Sequence, residues 1–581
     1  MSNRYTSERN AQILLSLLKQ NGVKRIIASP GTTDIAVVAS VQQDSFFEVY
    51  SAPDERSAAY MACGMAEETG EPVVISCTGA TASRNYMPGM TEAYYRKLPV
   101  IAVTSSRQSF YIGNNDDQVT DRTALPNDVA KISVQLPIVR DSDSEWACVK
   151  RMNAAMHTLF AHGGGPIHIN LETKYDTDFS VSEIKNVRKI AYYKDGKKFP
   201  EIKASDVVVL VGSHGKWSEE LLCLVDEFCE KYNGAVVCDH ISNYSGKYKV
   251  LNALAASQYH YETEVTEAKL VIHIGGITST GFKVSPQSLW RVNPDGVIRD
   301  PFKCVTALFE TEEVDFFSYY CTVKKEKCKE MSFFSRLQQE ENRLAGKVPE
   351  LPFSNAWIAS KYASIIPAQS VIHFGIRNSL RVWSYFSLHN SVRAYSNVGG
   401  FGIDGCLSSL IGAALCNKGK TYYGVVGDLA FFYDMNSLGN RHVSPNIRII
   451  LVNNATGMEM KFTGFYASKI GAEIDSFISA SKHYGNQSVS LVRNYAESLG
   501  FRYFSANDKA EFEKNAKVFF SGDVTAQPYI FEVFVDSKDE DKAHQILTSI
   551  ESTASGDLKN SIKKIIGEKN ASYLKRALGK Q

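Results

Sequence analysis

The sequence predicts an α/β protein of three tandem domains, each with a mainly parallel central sheet flanked by helices. Short apolar runs of strand length alternate with helix-length segments along the chain, a pattern typical of parallel sheets. Many of these runs end in Gly, Asn or Asp, as strands do before a turn. The 581 residues also exceed what one hydrophobic core organises.

The first predicted domain spans residues 1–185. It begins with an amphipathic helix over 7–21, in which the apolar stretch is too short and too interrupted for a signal peptide or a membrane anchor. A buried strand follows and stops at Pro30 and Gly31. Further strands are predicted in "EPVVISCTG", "LPVIAVTSS" and, closing the domain, "GPIHINLE".

The second predicted domain spans residues 186–348 and lies after a charged, irregular linker. Its predicted strands are "DVVVLVGSHG", "GAVVCDH" and "KLVIHIGGI". The turn in "LVGSHG" is similar to that of a dinucleotide-binding fold but lacks GxGxxG, so a structural domain is favoured over flavin or nicotinamide binding.

The third predicted domain spans residues 349–540 and contains "QSVIHFG", "YYGVVGD", "RIILVNN" and "YIFEVFV" as strands. The motif "NKGKT" does not indicate a P-loop ATPase, because Ala414 stands where the upstream glycine is required. Residues 541–581 form a predicted helical tail. Its basic amphipathic end is interpreted as a surface helix, with a partner-binding helix as the alternative.

Composition excludes several classes of partner. The 64 Lys and Arg residues nearly balance the 63 Asp and Glu residues, so the chain has almost no net charge. Neither nucleic acid nor a membrane surface is therefore an expected partner, and a small molecule is expected instead. The 11 cysteines are scattered without a CxxC pair. This favours reduced thiols and a cytoplasmic protein over disulfides or a zinc site.

A cation site is predicted where two neighbouring strands end. Asp428 ends one apolar run and Asn454 another, and the segment from Leu429 to Pro445 is long enough for the crossover that brings both ends to one sheet edge. A main-chain carbonyl just beyond, at Thr456, would add a third oxygen. One charged and two neutral oxygens form half of an octahedral Mg²⁺ site, which phosphate oxygens would complete. The sequence therefore predicts a diphosphate ligand.

This Gly-Asp followed by Asn-Asn resembles the metal motif of thiamine-diphosphate enzymes. Four further segments are similar to that family in the same order: "IIASPGTT" with "APDERSAAYMACGMA", "SCTGATASRNYMPGMTEAYYRKLPVIAVTSS", "GPIHINLE" and "YSNVGGFGIDGCLSSLIGAAL". The resemblance covers residues 1–175 and 370–465 well, and the middle domain by position alone. It implies a pyrimidine-binding first domain and a third domain that binds diphosphate and Mg²⁺.

The resemblance also implies the cofactors and their residues. Thiamine diphosphate and Mg²⁺ are the expected cofactors, with Glu55 as the catalytic carboxylate. The metal residues would be Asp428, Asn454 and Thr456. Ile403 is the candidate for the apolar wedge that bends the cofactor, with an ordinary core isoleucine as the alternative. The full set implied for cofactor binding is Pro30, Gly31, Thr78, Asn85, Ser379, Gly402, Ile403, Asp404, Gly427, Asp428, Leu429 and Asn454.

The predicted substrate pocket differs in sequence from the family pattern that the chain resembles. "SNVGGFGIDG" and the Gly-Asp-Leu at 427–429 resemble the menaquinone-pathway synthases, which hold substrate carboxylates with arginines. Thr33, Trp383 and Val398 stand at those arginine positions, and none of them can replace a bidentate guanidinium. The substrate residues implied by position are Thr33, Arg84, Arg107, Gln118 and Trp383; for Arg84 and Arg107 a solvated surface role is the alternative.

The expected activity is decarboxylation of a 2-oxo acid and transfer of the resulting unit to an acceptor. Simple decarboxylation to an aldehyde is one alternative, and a catalytically silent binding protein on the same fold is another. Because the family combines the glutamate of one chain with the metal site of another, a homodimer or tetramer with active sites at subunit interfaces is expected.

Overall fold

The computed structural model describes residues 4–259, 261–279, 281–324, 332–482 and 488–552. It divides into two compact units, Met1–Lys194 with Asp295–Leu308, and Asp195–Pro294 with Phe309–Gln581. The division into four segments stays a prediction. The basic helix predicted near the C-terminus lies outside the described residues. Within the described ranges, no helix is both long and apolar enough to span a membrane.

The N-terminal part of the chain forms a six-stranded parallel sheet in the order β2-β1-β3-β4-β6-β5. Its strands are β1 (Arg25–Ala28), β2 (Glu48–Ser51), β3 (Val73–Thr78), β4 (Val100–Ser106), β5 (Ser133–Leu136) and β6 (Ile167–Glu172). The helices are α1 (Arg9–Gln20), α2 (Ile35–Val41), α3 (Glu55–Thr69), α4 (Ala80–Asn85), α5 (Met87–Arg96) and α6 (Ser142–Thr158). All of β4 is buried, because helices cover both faces of a parallel sheet.

A seven-stranded sheet has the order β10-β9-β8-β11-β12-β13-β7. Its strands are β7 (Ala191–Lys194), β8 (Val207–Val211), β9 (Gly234–Cys238), β10 (Lys249–Leu251), β11 (Leu270–Ile274), β12 (Ser288–Val292) and β13 (Val305–Glu310). The accompanying helices are α7 (Glu219–Tyr232), α8 (Ala253–Ser257), α9 (Glu313–Thr322) and α10 (Ser332–Gly346). Every residue of β8 is buried, as the apolar run "VVVLV" predicts.

The C-terminal part forms a second six-stranded parallel sheet, ordered β15-β14-β16-β17-β19-β18. Its strands are β14 (Val371–Phe374), β15 (Arg393–Ser396), β16 (Tyr422–Gly427), β17 (Ile447–Asn453), β18 (Arg502–Ala506) and β19 (Tyr529–Phe534). The helices are α11 (Asn355–Tyr362), α12 (Asn378–Trp383), α13 (Cys406–Cys416), α14 (Asp428–Asp434), α15 (Ile474–Phe477), α16 (Leu491–Ser498), α17 (Lys509–Phe519) and α18 (Ser537–Thr548).

The two six-stranded sheets share one strand order, 2-1-3-4-6-5 counted within each sheet. In both, the third and fourth strands lie side by side at the centre, and their carboxyl ends reach the same edge. The predicted fold class, parallel sheets flanked by helices, is confirmed. The order matters for function because it places Asp428 and Asn454, which follow the third and fourth strands of the last sheet, next to each other.

Candidate functional site

A cavity of about 290 Å³ lies at the carboxyl edge of the C-terminal sheet. β16 and β17 pair in parallel with Gly427 opposite Val452, so the residues after each strand face the same space. The cavity is lined by the following residues that the sequence predicted for cofactor or metal binding: Ser379, Ile403, Gly427, Asp428, Leu429, Asn454 and Thr456. Gly402 and Asp404 flank Ile403 in the chain but are not among the lining residues.

The Asp428 carboxylate is buried at this edge, with 2% of the residue exposed. Oδ1 accepts the N–H of Leu429 at 2.7 Å, and Oδ2 accepts the N–H of Thr456 at 3.2 Å. Burial raises the pKa of Asp428 to about 6, while backbone hydrogen bonds lower it. Among the described residues, no basic side chain forms an ion pair with this carboxylate. A buried carboxylate in such a setting is stabilised by a cation.

The amide oxygen of Asn454 supplies a second oxygen beside this carboxylate. It is buried and accepts no hydrogen bond from any described residue. A buried acceptor without a donor is uncommon in folded proteins and calls for a partner. Carboxylate and amide oxygens are ligands that Mg²⁺ accepts, and bound phosphate supplies further oxygens. The donor set therefore fits a divalent cation that also holds a diphosphate.

Glu55 lies in the first compact unit, as the first residue of α3. The helix begins there because the Asp54 side chain caps it, accepting the N–H groups of Arg56 and Ser57. Glu55 Oε2 accepts a hydrogen bond from Asn85 Nδ2 at 3.1 Å, which joins the start of α3 to the end of α4. Two residues predicted for cofactor chemistry, Glu55 and Asn85, are thus neighbours, and Glu55 keeps part of its surface exposed.

Two further predicted residues of this unit, Gly31 and Thr78, pack directly against each other. A Cβ at position 31 would lie 2.5 Å from Thr78 Cβ, so only glycine allows this approach of the loop after β1 to the end of β3. Pro30 precedes that glycine and is exposed. Thr33 is buried, and its hydroxyl donates to the Ser105 carbonyl at 2.6 Å while also contacting the Thr78 hydroxyl.

The remaining predicted substrate residues lie in different environments. Arg84 is exposed and donates to the Asp121 carbonyl at 2.7 Å. Arg107 forms ion pairs with Asp116 at 3.4 Å and Asp117 at 3.2 Å. Gln118 is exposed, and its amide oxygen lies 3.5 Å from the Thr32 hydroxyl. The substrate contacts of these residues stay predictions.

Trp383 has no exposed surface, in contrast to Arg84. Its indole N–H donates to Asn355 Oδ1 at 3.0 Å, and it is not among the residues that line the cavity. Val398, at another of the altered arginine positions, is also buried. The side chains at these two positions therefore fill the core, and they offer no surface to a substrate in this conformation.

The sequence argument missed several polar groups. Arg377, Asn378 and Glu459 line the same cavity, and Asn378 Oδ1 is buried without a hydrogen-bond partner among the described residues. The spacing of Arg377 and Arg381 by four residues, which is typical of one helix face, was the available signal, although the structure places Arg377 just before α12. In the first unit, Arg122 is also buried, and its Nε and Nη1 have no partner in the described part of the chain.

Comparison with known proteins points to the same cofactor. Residues 9–125 match the family described as "Thiamine pyrophosphate enzyme, N-terminal TPP binding domain". The chain is 29% identical to a 2-succinyl-5-enolpyruvyl-6-hydroxy-3-cyclohexene-1-carboxylate synthase of Bacteroides fragilis over 93% of this chain and 100% of that protein. Enzymes of the same name from Phocaeicola vulgatus and Bacteroides thetaiotaomicron are 29% and 26% identical, over 92% and 91% of this chain and 97% and 96% of theirs.

These similarities confirm the resemblance to thiamine-diphosphate enzymes and the cofactor that the sequence predicts. They imply thiamine diphosphate, also called thiamine pyrophosphate, together with the divalent cation typical of the family. The buried carboxylate and amide oxygens at the strand ends fit that cation. The chain thus carries a segment that matches a thiamine pyrophosphate enzyme domain, and it is similar along most of its length to the carboxylate synthases named above.

Proposed function

We propose that this enzyme decarboxylates a 2-oxo acid and transfers the remaining unit to an acceptor, using thiamine diphosphate and Mg²⁺. The observation that carries the proposal is the buried Asp428 carboxylate beside the amide oxygen of Asn454, in a cavity at the carboxyl ends of parallel strands. That amide oxygen has no hydrogen-bond partner among the residues that the structure describes. The presence of Glu55 as well argues against a catalytically silent relative, because a decayed site would lose one of these groups.

The product named for the similar synthases supports transfer rather than simple decarboxylation. A 2-succinyl substituent on a cyclohexene ring contains a four-carbon acyl unit with a terminal carboxylate. Loss of CO₂ from a five-carbon 2-oxo dicarboxylic acid leaves such a unit. We therefore propose a 2-oxo acid of this class as donor and a cyclic carboxylate as acceptor. The altered positions 33, 383 and 398 leave the identity of both open to experiment.

The roles proposed for the chain's own residues follow from their positions. When bound, thiamine diphosphate supplies the nucleophilic carbon and takes up the electron pair that decarboxylation releases. Asp428 and Asn454 would hold the cation through side-chain oxygens, and Thr456 would add its carbonyl. Ile403 forms an apolar part of the cavity wall. Glu55 would hold a proton on its carboxylate and exchange it beside the ring of the bound cofactor.

The active site we propose is shared between two copies of the chain. Glu55 of one subunit and Asp428 of its partner would complete each site, in a homodimer or a tetramer built from such dimers. A symmetric pair of this kind contains two equivalent sites, each made from both chains. Water is excluded from such a site by the partner subunit, which strengthens electrostatic interactions inside it.

The proposal is tested by incubating the pure protein with thiamine diphosphate, Mg²⁺ and a panel of 2-oxo acids, with and without cyclic enolpyruvyl acceptors. We expect CO₂ release together with a product whose mass is the sum of acceptor and decarboxylated donor. Release of free aldehyde in the presence of every acceptor would indicate a simple decarboxylase. Cofactor binding without CO₂ release from any acid would overturn the proposed reaction.

A further inference from the structure

Arg122 is a buried cation of the first compact unit, on the segment that connects β4 to β5. Only 2% of the residue is exposed. Its Nη2 donates a hydrogen bond to Asn170 Oδ1 on β6. Its Nε and Nη1 are buried and have no hydrogen-bond partner among the residues that the structure describes. Because a guanidinium has N–H donors on all three nitrogens, Arg122 calls for a further acceptor.

The positive charge of this side chain is not balanced within the described part of the protein. No carboxylate of the described residues pairs with the Arg122 guanidinium. Burial, with a smaller effect of the neighbouring Arg84, lowers the pKa of Arg122 to about 10, so the side chain still carries its charge near pH 7. An unpaired charge in a protein interior is costly, and a counter-ion offsets that cost.

The polar groups around Arg122 are neutral. Asn170, which accepts its hydrogen bond, is an amide, and its own Nδ2 donates to Gln135 Oε1. Burial lowers the pKa of His168 to about 3, with smaller contributions from nearby arginines, so this imidazole is uncharged near pH 7. Its Nε2 lies 2.8 Å from the Thr104 hydroxyl oxygen. These groups can accept or donate hydrogen bonds, but they cannot balance a positive charge.

A cavity of about 20 Å³ lies against Arg122. The described residues that line it include two basic side chains, Arg84 and Arg122, and no carboxylate. Much of the remaining lining is apolar and comes from Met87, Met90, Ala102, Leu125 and Val129. A space of this size holds one particle as large as a water molecule or a halide ion, and it excludes phosphates and organic acids. Apolar walls strengthen the attraction between an anion and a guanidinium.

The chain around Arg122 holds its guanidinium in place. A Cβ at position 79 would lie 2.9 Å from Arg122 Nη1 and 3.2 Å from the Ser105 carbonyl oxygen, so glycine at this position leaves room for the side chain. The hydrogen bond to Asn170 fixes the other side of the guanidinium. A group that is already ordered binds its ligand at a smaller entropic cost.

We propose that this cavity binds one halide ion, such as chloride, with Arg122 as its principal ligand. The ion would accept hydrogen bonds from the Arg122 guanidinium and balance its charge. Ser83 and Arg84 line the same cavity from α4, so the ion would also fasten this helix to the segment that carries Arg122. Chloride then acts as a structural ligand of the first unit, and this inference does not depend on the proposed function.

The test is a chloride titration of the full chain at constant ionic strength, in which gluconate, too large for the cavity, replaces chloride. The linewidth of the chlorine NMR signal measures binding, because bound chloride relaxes faster than free chloride. We expect saturable binding that bromide displaces and sulfate does not. Arg122→Met should weaken chloride by about ten- to a hundredfold, since it removes the charged donors and keeps a long unbranched side chain.

Two further variants separate binding from folding. Val129→Ile adds a methylene group to the lining and leaves Arg122 in place, so it should also weaken chloride. Arg151→Met is the matched control, because Arg151 is an exposed arginine of α6 in the same unit and does not line the cavity. The chloride affinity of this control should equal that of the unaltered protein.

Thermal unfolding in chloride and in gluconate gives a second readout, which an arginine with a structural role alone would not affect. Chloride should raise the melting temperature of the unaltered protein relative to gluconate, because a ligand that binds only the folded state stabilises it. This difference should disappear in Arg122→Met. In gluconate, Arg122→Met should be at least as stable as the unaltered protein, because it removes an unbalanced buried charge.

Several results would overturn the inference. The first is an absence of saturable line broadening in the unaltered protein, and the second is equal chloride affinity in the unaltered protein and Arg122→Met. Equal melting temperatures of the unaltered protein in chloride and in gluconate would indicate that water, and not an ion, fills the cavity. If Arg122→Met does not fold, Val129→Ile decides, and unchanged chloride affinity in that variant would also overturn the inference.

Discussion

The carboxylate of Asp428 accepts the backbone N–H of Thr456, with 3.2 Å between Oδ2 and the nitrogen. This bond connects the residue that follows β16 with the loop that follows β17. The intervening Asn454 is thereby held at the rim of the same cavity, with its amide oxygen buried and unpaired within the described residues. Two strand ends that are 26 positions apart in the chain thus offer oxygens to one small volume.

Replacing Asp428 by asparagine keeps the shape of the side chain and removes its charge. We expect Asp428→Asn to weaken the binding of thiamine diphosphate at fixed Mg²⁺ by about a hundredfold or more, since the cation loses its charged ligand. The melting temperature without cofactor should not fall, because a buried carboxylate is costly. Calorimetric titration and thermal unfolding measure the two effects.

Asp508→Asn is a control for that substitution, because Asp508 caps α17 on the exposed surface and is remote in sequence from both strand ends. Cofactor affinity in the control should equal that of the unaltered protein. If the Asp428→Asn protein bound the cofactor with unchanged affinity, the proposal of a metal site at this edge of the sheet would be wrong.

Glu55→Gln removes a proton-carrying carboxylate and keeps an amide of similar size. We expect cofactor binding to persist, while hydrogen exchange at the thiazolium C2 of the bound cofactor slows by about 10²- to 10⁴-fold. Exchange followed by NMR after quenching measures this rate. Glu68→Gln, on the exposed surface of the same helix, should exchange normally. Exchange at the unaltered rate in Glu55→Gln would exclude the proposed role.

Mixing two inactive variants tests whether subunits share the site. In a dimer that combines Glu55→Gln with Asp428→Asn, one site carries both substitutions and the other carries neither. Random assembly of equal amounts should therefore restore about a quarter of full activity. If Glu55 and Asp428 of one chain served the same site, every mixed site would carry one defect, and co-expressed variants would stay inactive.

Asp34 gives the stability of the first unit a dependence on pH. The carboxylate is fully buried and accepts hydrogen bonds from Ser76 and Ser105. Burial raises the pKa of Asp34 to about 7, although these hydroxyls lower it. An aspartate in an unfolded chain titrates near pH 4, so between about pH 4 and 7 the folded state retains a proton that the unfolded state has lost.

The contribution of Asp34 to stability is therefore greatest below about pH 4 and declines as pH rises to about 7. We expect Asp34→Asn to reduce the decline between these values and to stabilise the protein at pH 8 by on the order of 1–3 kcal/mol. Urea unfolding at pH 5 and pH 8 measures both effects, with Glu68→Gln as the exposed control. If Asp34→Asn lowered the free energy of unfolding more at pH 8 than at pH 5, the prediction would be wrong.

Much of the fold could be predicted because its determinants are local. Apolar runs such as "YYGVVGD" and "RIILVNN" specify buried strands, and helix-length segments between them require parallel pairing. The proximity of Asp428 to Asn454 followed from that pairing. The crossover between them was predicted correctly in length, although only Asp428–Asp434 is α-helical, and a 3₁₀ turn over Met435–Gly439 completes it.

Contacts between distant segments could not be predicted in this way. The pairing of Arg381 with Glu459 spans 78 residues, and the burial of Trp383 depends on Asn355 on another helix. No local period encodes either of them, because which side chains meet is decided by how α11, α12 and the loop after β17 pack together.

By itself, the sequence determined the class of fold, the strand ends that carry the proposed metal ligands, and the cofactor. Only the tertiary structure decided that Thr33 and Trp383 are buried, that the Asn454 amide oxygen lacks a partner among the described residues, and that Arg377 has a positive φ beside the cavity. The physical reason is range: strand and helix signals repeat within a few residues, whereas burial and charge balance depend on groups brought together by the whole fold.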